Sequence, residues 1–184
     1  MNAKPVSETY VTMAQVVEPQ DANFLDKMFG GALLARIDLC AYGTASKFAG
    51  TLAVTASFDR VDFHEPIEVG ELVTMTGRIS FVGRSSMEVI IEVHAENLLK
   101  GTKRHTNTAR VTMVALKDGK PCEVPRLICE SHEDKLLFLE GKLRKERRFV
   151  HRAEFDQLVE KLRGLPESTL DGLLTAETIQ DKLG

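Results

Sequence analysis

From Phe29 to Phe48 the chain is patterned as one helix whose apolar surface is too wide for a single flat partner. Phe29, Leu33, Ile37, Cys40, Thr44 and Phe48 recur along one side at helical spacing, with Leu34, Ala41 and Ala45 beside them. One stripe is enough to face a core, so a helix with two adjoining apolar flanks has to be wrapped by other elements. The next segment has the alternation of strands. Leu52, Val54, Ala56 and Phe58 share one parity, and Val61 and Phe63 carry the apolar set onward after a switch that places a β-bulge at Asp59 and Arg60.

Pro66 and Gly70 supply turn chemistry before a strand from Leu72 to Val82, in which Val73, Met75, Ile79 and Phe81 form the apolar face. Gly83, Arg84 and Ser85 reverse the chain into Ser86 to Ala95, where Met87, Val89, Ile91 and Val93 alternate with Glu88, Glu92 and His94. A basic loop from Lys100 to His105 leads to a last strand near Thr106 to Leu116. With Thr9 to Val17 as an edge strand ahead of the helix, the order is strand, helix, four strands. Short turns make consecutive strands antiparallel neighbours, which predicts an α+β fold with the helix inside a curled sheet.

Beyond Pro125 the period is helical again, from a capping box at Ser131 and Asp134 through Leu136, Leu139 and Leu143, with Gly164 and Pro166 as breakers. Residues 1–129 are therefore read as the sheet-and-helix domain and 130–184 as a charged helical extension. The cluster Lys142, Arg144, Lys145, Arg147, Arg148 and Arg152 is read as a solvated helix face.

A formal net charge of -3 argues against wholesale nucleic-acid binding. Cys40, Cys122 and Cys129 have no C-x-x-C pairing and are odd in number, so a reducing compartment is the simpler expectation. No signal peptide is apparent, and no apolar run approaches the roughly 18 residues that a membrane span requires. A cytoplasmic protein is predicted. The histidines lack metal-ligand spacing, so no metal is expected.

Asp38 stands out on the helix. Its neighbours three and four residues away are Leu34, Ala35, Ala41 and Tyr42, none of them cationic, while Arg36 and Lys47 project from the opposite side. That pattern predicts a carboxylate facing packed protein, where it needs a partner or a function. At the helix start, Gly30 and Gly31 allow close approach to unsatisfied N–H groups and a positive dipole end. Asn23, in the preceding loop, both donates and accepts hydrogen bonds.

Asn23, Phe29-Gly30-Gly31, Asp38, Val54-Thr55-Ala56-Ser57 with Val61-Asp62-Phe63, Pro66, Gly70, Gly83-Arg84-Ser85-Ser86-Met87-Glu88 and Val124-Pro125 occur in an order that resembles the hotdog-fold acyl-CoA thioesterases, the acyl-CoA hydrolase group. The resemblance runs from about Thr9 to Leu127. It implies a five-stranded antiparallel sheet around the long helix, pairing of two copies into a homodimer, and in some members a trimer of dimers. It also implies hydrolysis of an acyl-CoA substrate at a site shared between copies, with Asn23 from one and Asp38 from the other. Asp38 would activate water as general base, with direct nucleophilic attack as the alternative, and Asn23 would orient water or thioester. The Gly31 N–H would stabilise the oxyanion, with Gly30 beside it. Arg84, Ser85 and Ser86 would meet the CoA phosphates, although a hairpin turn alone also accounts for them. No cofactor is implied beyond CoA as part of the substrate. Two other functions fit the same fold: a non-catalytic acyl-CoA sensor, and a dehydratase using His64.

Overall fold

A glycine at each end frames the long helix: α1 starts at Gly30 and stops at Gly50, whose φ of 70° is the left-handed conformation that closes a helix cheaply only without a Cβ. In the computed structural model, which describes residues 3–59, 61 and 65–179, the elements run β1 (Lys4–Pro5), β2 (Val11–Val16), α1 (Gly30–Ala49), β3 (Leu52–Phe58), β4 (Leu72–Val82), β5 (Ser86–Asn97), β6 (Thr102–Lys117), β7 (Lys120–Pro121), β8 (Leu127–Ile128), α2 (His132–Arg163) and α3 (Glu167–Leu174). The main sheet has the order β2-β4-β5-β6-β3 with every pair antiparallel, and the short β7 extends β6. α1 packs against all five long strands. The wrapped helix read from the sequence is present. Two compact units divide the chain, residues 1–141 and 142–184.

Leu33, Ile37, Cys40, Ala41, Ala45 and Phe48 of α1 are buried against Val73, Met75, Ile79, Met87, Val89, Ile91, Val111 and Met113 of the sheet. Each large apolar side chain removed from water contributes about 1.5–3 kcal/mol. The closest approach is at Gly77 of β4: a Cβ there would lie 2.5 Å from Thr44 Oγ1 and 3.2 Å from Cys40 Sγ. Burial raises the pKa of the Cys40 thiol, as expected of a packing residue.

Several strand details differ from the expectation. On β3 it is Ala53 that is buried, whereas Leu52 and Val54 are 63% and 46% exposed. β3 lies at the end of the sheet, and its Ala53 and Thr55 pair with the inward Ala115 and Met113, so the larger apolar residues point away from α1. A bulge lies at Ala56, between the paired positions Thr55 and Ser57, and the one expected at Asp59 and Arg60 reaches outside the described residues. Arg60, Asp62, Phe63 and His64 fall outside the described residues.

Ser80 is an extra residue opposite the Val89 and Glu88 pair, so Phe81 is turned onto the outer face with Glu88 instead of joining Ile79. There the start of α2 covers both: Phe81 and Phe138 have ring centroids 5.0 Å apart, and a Cβ on Gly141 would meet Phe81 at 2.5 Å. Glu88, expected in solvent, is 2% exposed and accepts from the Ser80 hydroxyl at 2.8 Å. The capping box at Ser131 is formed, with Asp134 N–H donating to the Ser131 hydroxyl at 3.1 Å and Ser131 N–H donating to the Asp134 carboxylate at 2.9 Å.

β6 begins at Thr102, earlier than expected, which places Lys103 and Arg104 on a strand. Arg104 donates to both carboxylate oxygens of Glu71 at 2.7 and 2.8 Å and to the Pro66 carbonyl at 2.7 Å. The Glu71 side chain is only 5% exposed, and its Arg104 bonds hold its carboxyl below the usual glutamate value.

Two consequences are measurable. Gly77→Val should destabilise the fold by about 1–3 kcal/mol through overpacking at α1, seen as a lower urea midpoint with an unchanged slope. Because the folded Glu71 pKa is lowered, its contribution is complete above the ordinary value of 4.5 and is lost as pH falls through the lower folded value. Arg104→Met should therefore cost about 2 kcal/mol near neutral pH and much less in acid, where Glu71 is protonated, as denaturation at both pH values would show.

Candidate functional site

Asn23 occupies the loop that delivers the chain to α1, and its side chain shapes that loop. Its Oδ1 accepts the backbone N–H groups of Leu25 at 2.8 Å and Lys27 at 3.2 Å, an Asx-type turn that leaves Nδ2 unused. Arg36, one turn into α1, anchors the same loop by donating to Asp21 at 2.6 Å and to Gln15 at 2.8 Å. Its hydrogen bond lowers the Asp21 pKa. The Asp21 carbonyl in turn accepts from Phe29 N–H at 2.7 Å, next to the first helical residue.

The first bond along the helix runs from Leu33 N–H to the Phe29 carbonyl at 3.1 Å. The N–H groups of Gly30 and Gly31 therefore have no acceptor within α1. A Cβ at Gly31 would meet the Phe29 ring as it now lies, so a larger residue there would require the exposed ring to move. Asn23 and Gly30 share a cavity of about 460 Å³ with Met28, Leu33, Ile67 and Asn107.

Asp38 lies seven residues beyond Gly31, which at 1.5 Å per residue is about 10 Å further along the axis. Its carboxylate accepts from the Thr55 hydroxyl of β3. Asp38 is half-exposed, in contrast to the packed surroundings expected from its neighbours, because the edge strand β3 walls it on one side only. Leu39 and Tyr42, 56% and 41% exposed, flank it. Two depressions adjoin Asp38. One, of about 670 Å³, is lined by Leu34, Ala35, Phe58, Asp59 and Val61. The other, of about 430 Å³, is lined by Leu39, Tyr42, Val54, Thr55 and Met113. Neither includes Asn23 or Gly30. Within one chain the structure thus joins Asn23 to the helix start and Asp38 to Thr55, and holds the two pairs apart.

Arg84 is exposed at the β4–β5 turn and lines a separate depression of about 590 Å³ with Gly83, Glu123 and Arg126. Ser85 and Ser86 do not line it. The carbonyls of Arg84, Ser85 and Ser86 accept from the N–H groups of Val124, Ala115 and Gly83. Arg84 keeps a free-standing position beside a second guanidinium, whereas Ser85 and Ser86 serve the turn.

Three neighbours of these sites went unassigned in the sequence. Thr55 was visible only as part of a strand motif, Arg126 only as a residue after Val124-Pro125, and Asn107 as one polar residue in a β-branched run. Cross-strand register, which sequence spacing does not show, creates their contacts. Among the described residues no cluster of histidine, cysteine, aspartate or glutamate is arranged to hold a metal, and no helix is long and apolar enough to cross a membrane.

The thioesterase superfamily model matches residues 26–102. A Bacillus subtilis protein named as an uncharacterized acyl-CoA thioester hydrolase is 38% identical over 131 residues, covering 71% of this chain and 76% of its own length. The acyl-CoA hydrolase of Staphylococcus aureus, solved with butyryl coenzyme A, coenzyme A and coenzyme A disulfide, superposes with a TM-score of 0.77 at 38% identity over 88% of this chain and 99% of its own. A hexameric acyl-CoA thioesterase superposes at 0.79 with 39% identity, over 83% of this chain and 99% of that one. With the fold shared across 99% of these two solved chains and 38% identity over 76% of the Bacillus subtilis relative, the chain belongs to the hotdog-fold acyl-CoA thioesterase family.

Proposed function

We propose that this chain hydrolyses acyl-CoA thioesters to CoA and a carboxylic acid, with Asp38 activating water at a site that two copies complete together. The observation that carries this reading is the separation within one chain of Asp38 and Thr55 from Asn23 and Gly31. A carboxylate about 10 Å along the helix from the N–H groups that would hold an oxyanion cannot act on the same carbonyl. A second copy related by a two-fold axis supplies the missing half, since an isologous contact pairs residue i with j and j with i. β3 offers the means, with a free edge beyond its β6 pairing and Leu52, Val54, Leu39 and Tyr42 exposed around Asp38.

In this arrangement Asp38, held by Thr55, takes a proton from water as the hydroxide oxygen bonds to the thioester carbon. The Gly31 N–H of the other copy stabilises the oxygen as it becomes anionic, in a helix-dipole field favourable to negative charge. Asn23, with Nδ2 free of its turn, orients the water or the thioester. Collapse of the tetrahedral species breaks the carbon–sulfur bond, and the proton held by Asp38 passes to the departing thiolate. Water has then supplied its hydroxyl to the acid and its proton to CoA.

Arg84 and Arg126 supply positive charge suited to CoA phosphates. Solved variants of the Staphylococcus aureus hydrolase replace one asparagine, one aspartate and one threonine by alanine, at the same intervals that separate Asn23, Asp38 and Thr55. That correspondence supports giving Thr55 a role beside Asp38. We place the protein's sheet-and-helix domain at residues 1–129 and assign catalysis to it.

Asp38→Asn should slow thiol release from acyl-CoA at least about 10²-fold while leaving assembly and CoA binding intact. Unchanged turnover would remove Asp38 from the mechanism. Mixing inactive Asn23→Ala with inactive Asp38→Asn tests the shared site directly. Random reassembly should restore about a quarter of wild-type turnover, because half the dimers then contain one intact site of two. No recovery after verified subunit exchange would mean that each copy works alone.

A further inference from the structure

Asn107 has no part in that chemistry, yet it is the one fully buried amide in the cavity beside Asn23 and Gly30. It is 1% exposed, and its Nδ2 has no hydrogen-bond partner among the described residues. Burying such a donor unpaired costs stability, and an apolar residue of the same shape would avoid that cost. The fold nonetheless aims the amide deliberately. Asn107 shares the parity of Ala109, Val111 and Met113, which face α1, and directly follows Thr106, an extra residue in β6 opposite the Val93 and His94 pairings. The Thr106 hydroxyl then holds Asn107 Oδ1 at 3.0 Å, which fixes the amide plane and leaves Nδ2 toward the cavity.

Beside the Asn107 amide lie the Asn23 Nδ2, assigned above to the reaction, and the Gly30 N–H of the helix start, while the other polar side-chain groups around this cavity are engaged. Lys27 is paired with Glu68, Glu65 lies 3.2 Å from Arg104, and the Asn23 Oδ1 is taken by its turn. Met28, Leu33 and Ile67 make the rest of the wall apolar. A cavity of about 460 Å³ with apolar walls and a fixed inward donor suits an acyl group that presents an oxygen acceptor.

We infer that Asn107 is a substrate-binding residue whose Nδ2 donates to an oxygen of the acyl moiety, and that this cavity is where the acyl group lies. The inference rests on the thioesterase reading and deepens it. The acceptor is an oxygen of one chemistry with two sources, the thioester carbonyl itself or a hydroxyl or keto oxygen further along the chain. The donor is matched to either, and the substrate decides which.

Asn107→Leu removes the donor while keeping the shape. Its thermal midpoint should equal or exceed that of the wild type, because an unpaired buried amide is gone. Its kcat/KM for thiol release should fall roughly tenfold or more. Assays with a straight-chain acyl-CoA and with the 3-hydroxyacyl-CoA of equal length separate the sources. A loss on both substrates assigns the thioester carbonyl, and a loss confined to the hydroxy substrate assigns the chain oxygen. Equal kinetics for variant and wild type on both substrates overturn the inference.

If Asn107→Leu fails to fold, Asn107→Ser and Asn107→Ala form a size-matched pair differing in the hydroxyl donor. The serine variant should then be the more active, and equal activity overturns the inference. Should the wild type release no thiol at all, the thioesterase reading fails by itself. The stabilisation of the wild type by added acyl-CoA still reports on Asn107, since Asn107→Leu should lose it and its retention refutes the role.

Discussion

The packing of α1 into the curl of the sheet sets the position of every candidate group. At Gly77 the helix and β4 approach so closely that Thr44 and Cys40 occupy the space a side chain would need. A helix seated that tightly cannot slide or roll without opening the core, because close-packed interiors resist small shifts. Its N-terminal N–H groups and Asp38 are therefore held at a fixed separation and a fixed azimuth. Asp38 faces β3, and Arg36 on the other side reaches Gln15 and Asp21 beside β2. One rigid rod thus carries the free N–H groups of a helix start and a carboxylate about 10 Å apart along its axis.

On the proposed shared site, that separation would account for an apolar edge strand next to a carboxylate. An unpaired strand edge with exposed Leu52 and Val54 is ordinarily a liability for an isolated protein. Here it adjoins the partly exposed Asp38, and in the proposed shared site a second copy docked on this surface would bring the oxyanion donors that it lacks.

Three bulges among the described residues each have a different effect. Ala56 lets β3 follow β6 past Thr55, and Ser80 turns Phe81 outward onto the start of α2. Thr106 sets Arg104 opposite the buried Ala95, and its hydroxyl holds the Asn107 amide. Bulges change which face a residue presents without changing its identity, so a reading by alternation fails at these points. Leu52 and Val54 were assigned to the core, Phe81 to the inner face and Glu88 to solvent, and each assignment broke at a register shift or at the sheet edge.

Local sequence determined the elements that depend on neighbours along the chain: the wide apolar face of α1, its glycine ends, the capping box at Ser131 and the turn at Gly83. Helical and strand periods express which residues must leave water, and they are legible because each lies within a few residues of the next. A helix start and an unpaired acid drew attention to Asn23, Gly31 and Asp38, but their roles came from the resemblance of the whole motif order to the thioesterases. The tertiary structure alone decided that Asp38 meets Thr55 while remaining far from Asn23, that Arg104 is bound to Glu71, and that Asn107 lines a cavity with its Nδ2 unpartnered among the described residues. Those facts depend on strand order and register, which bring together residues tens of positions apart, and no local period encodes which strand lies beside which.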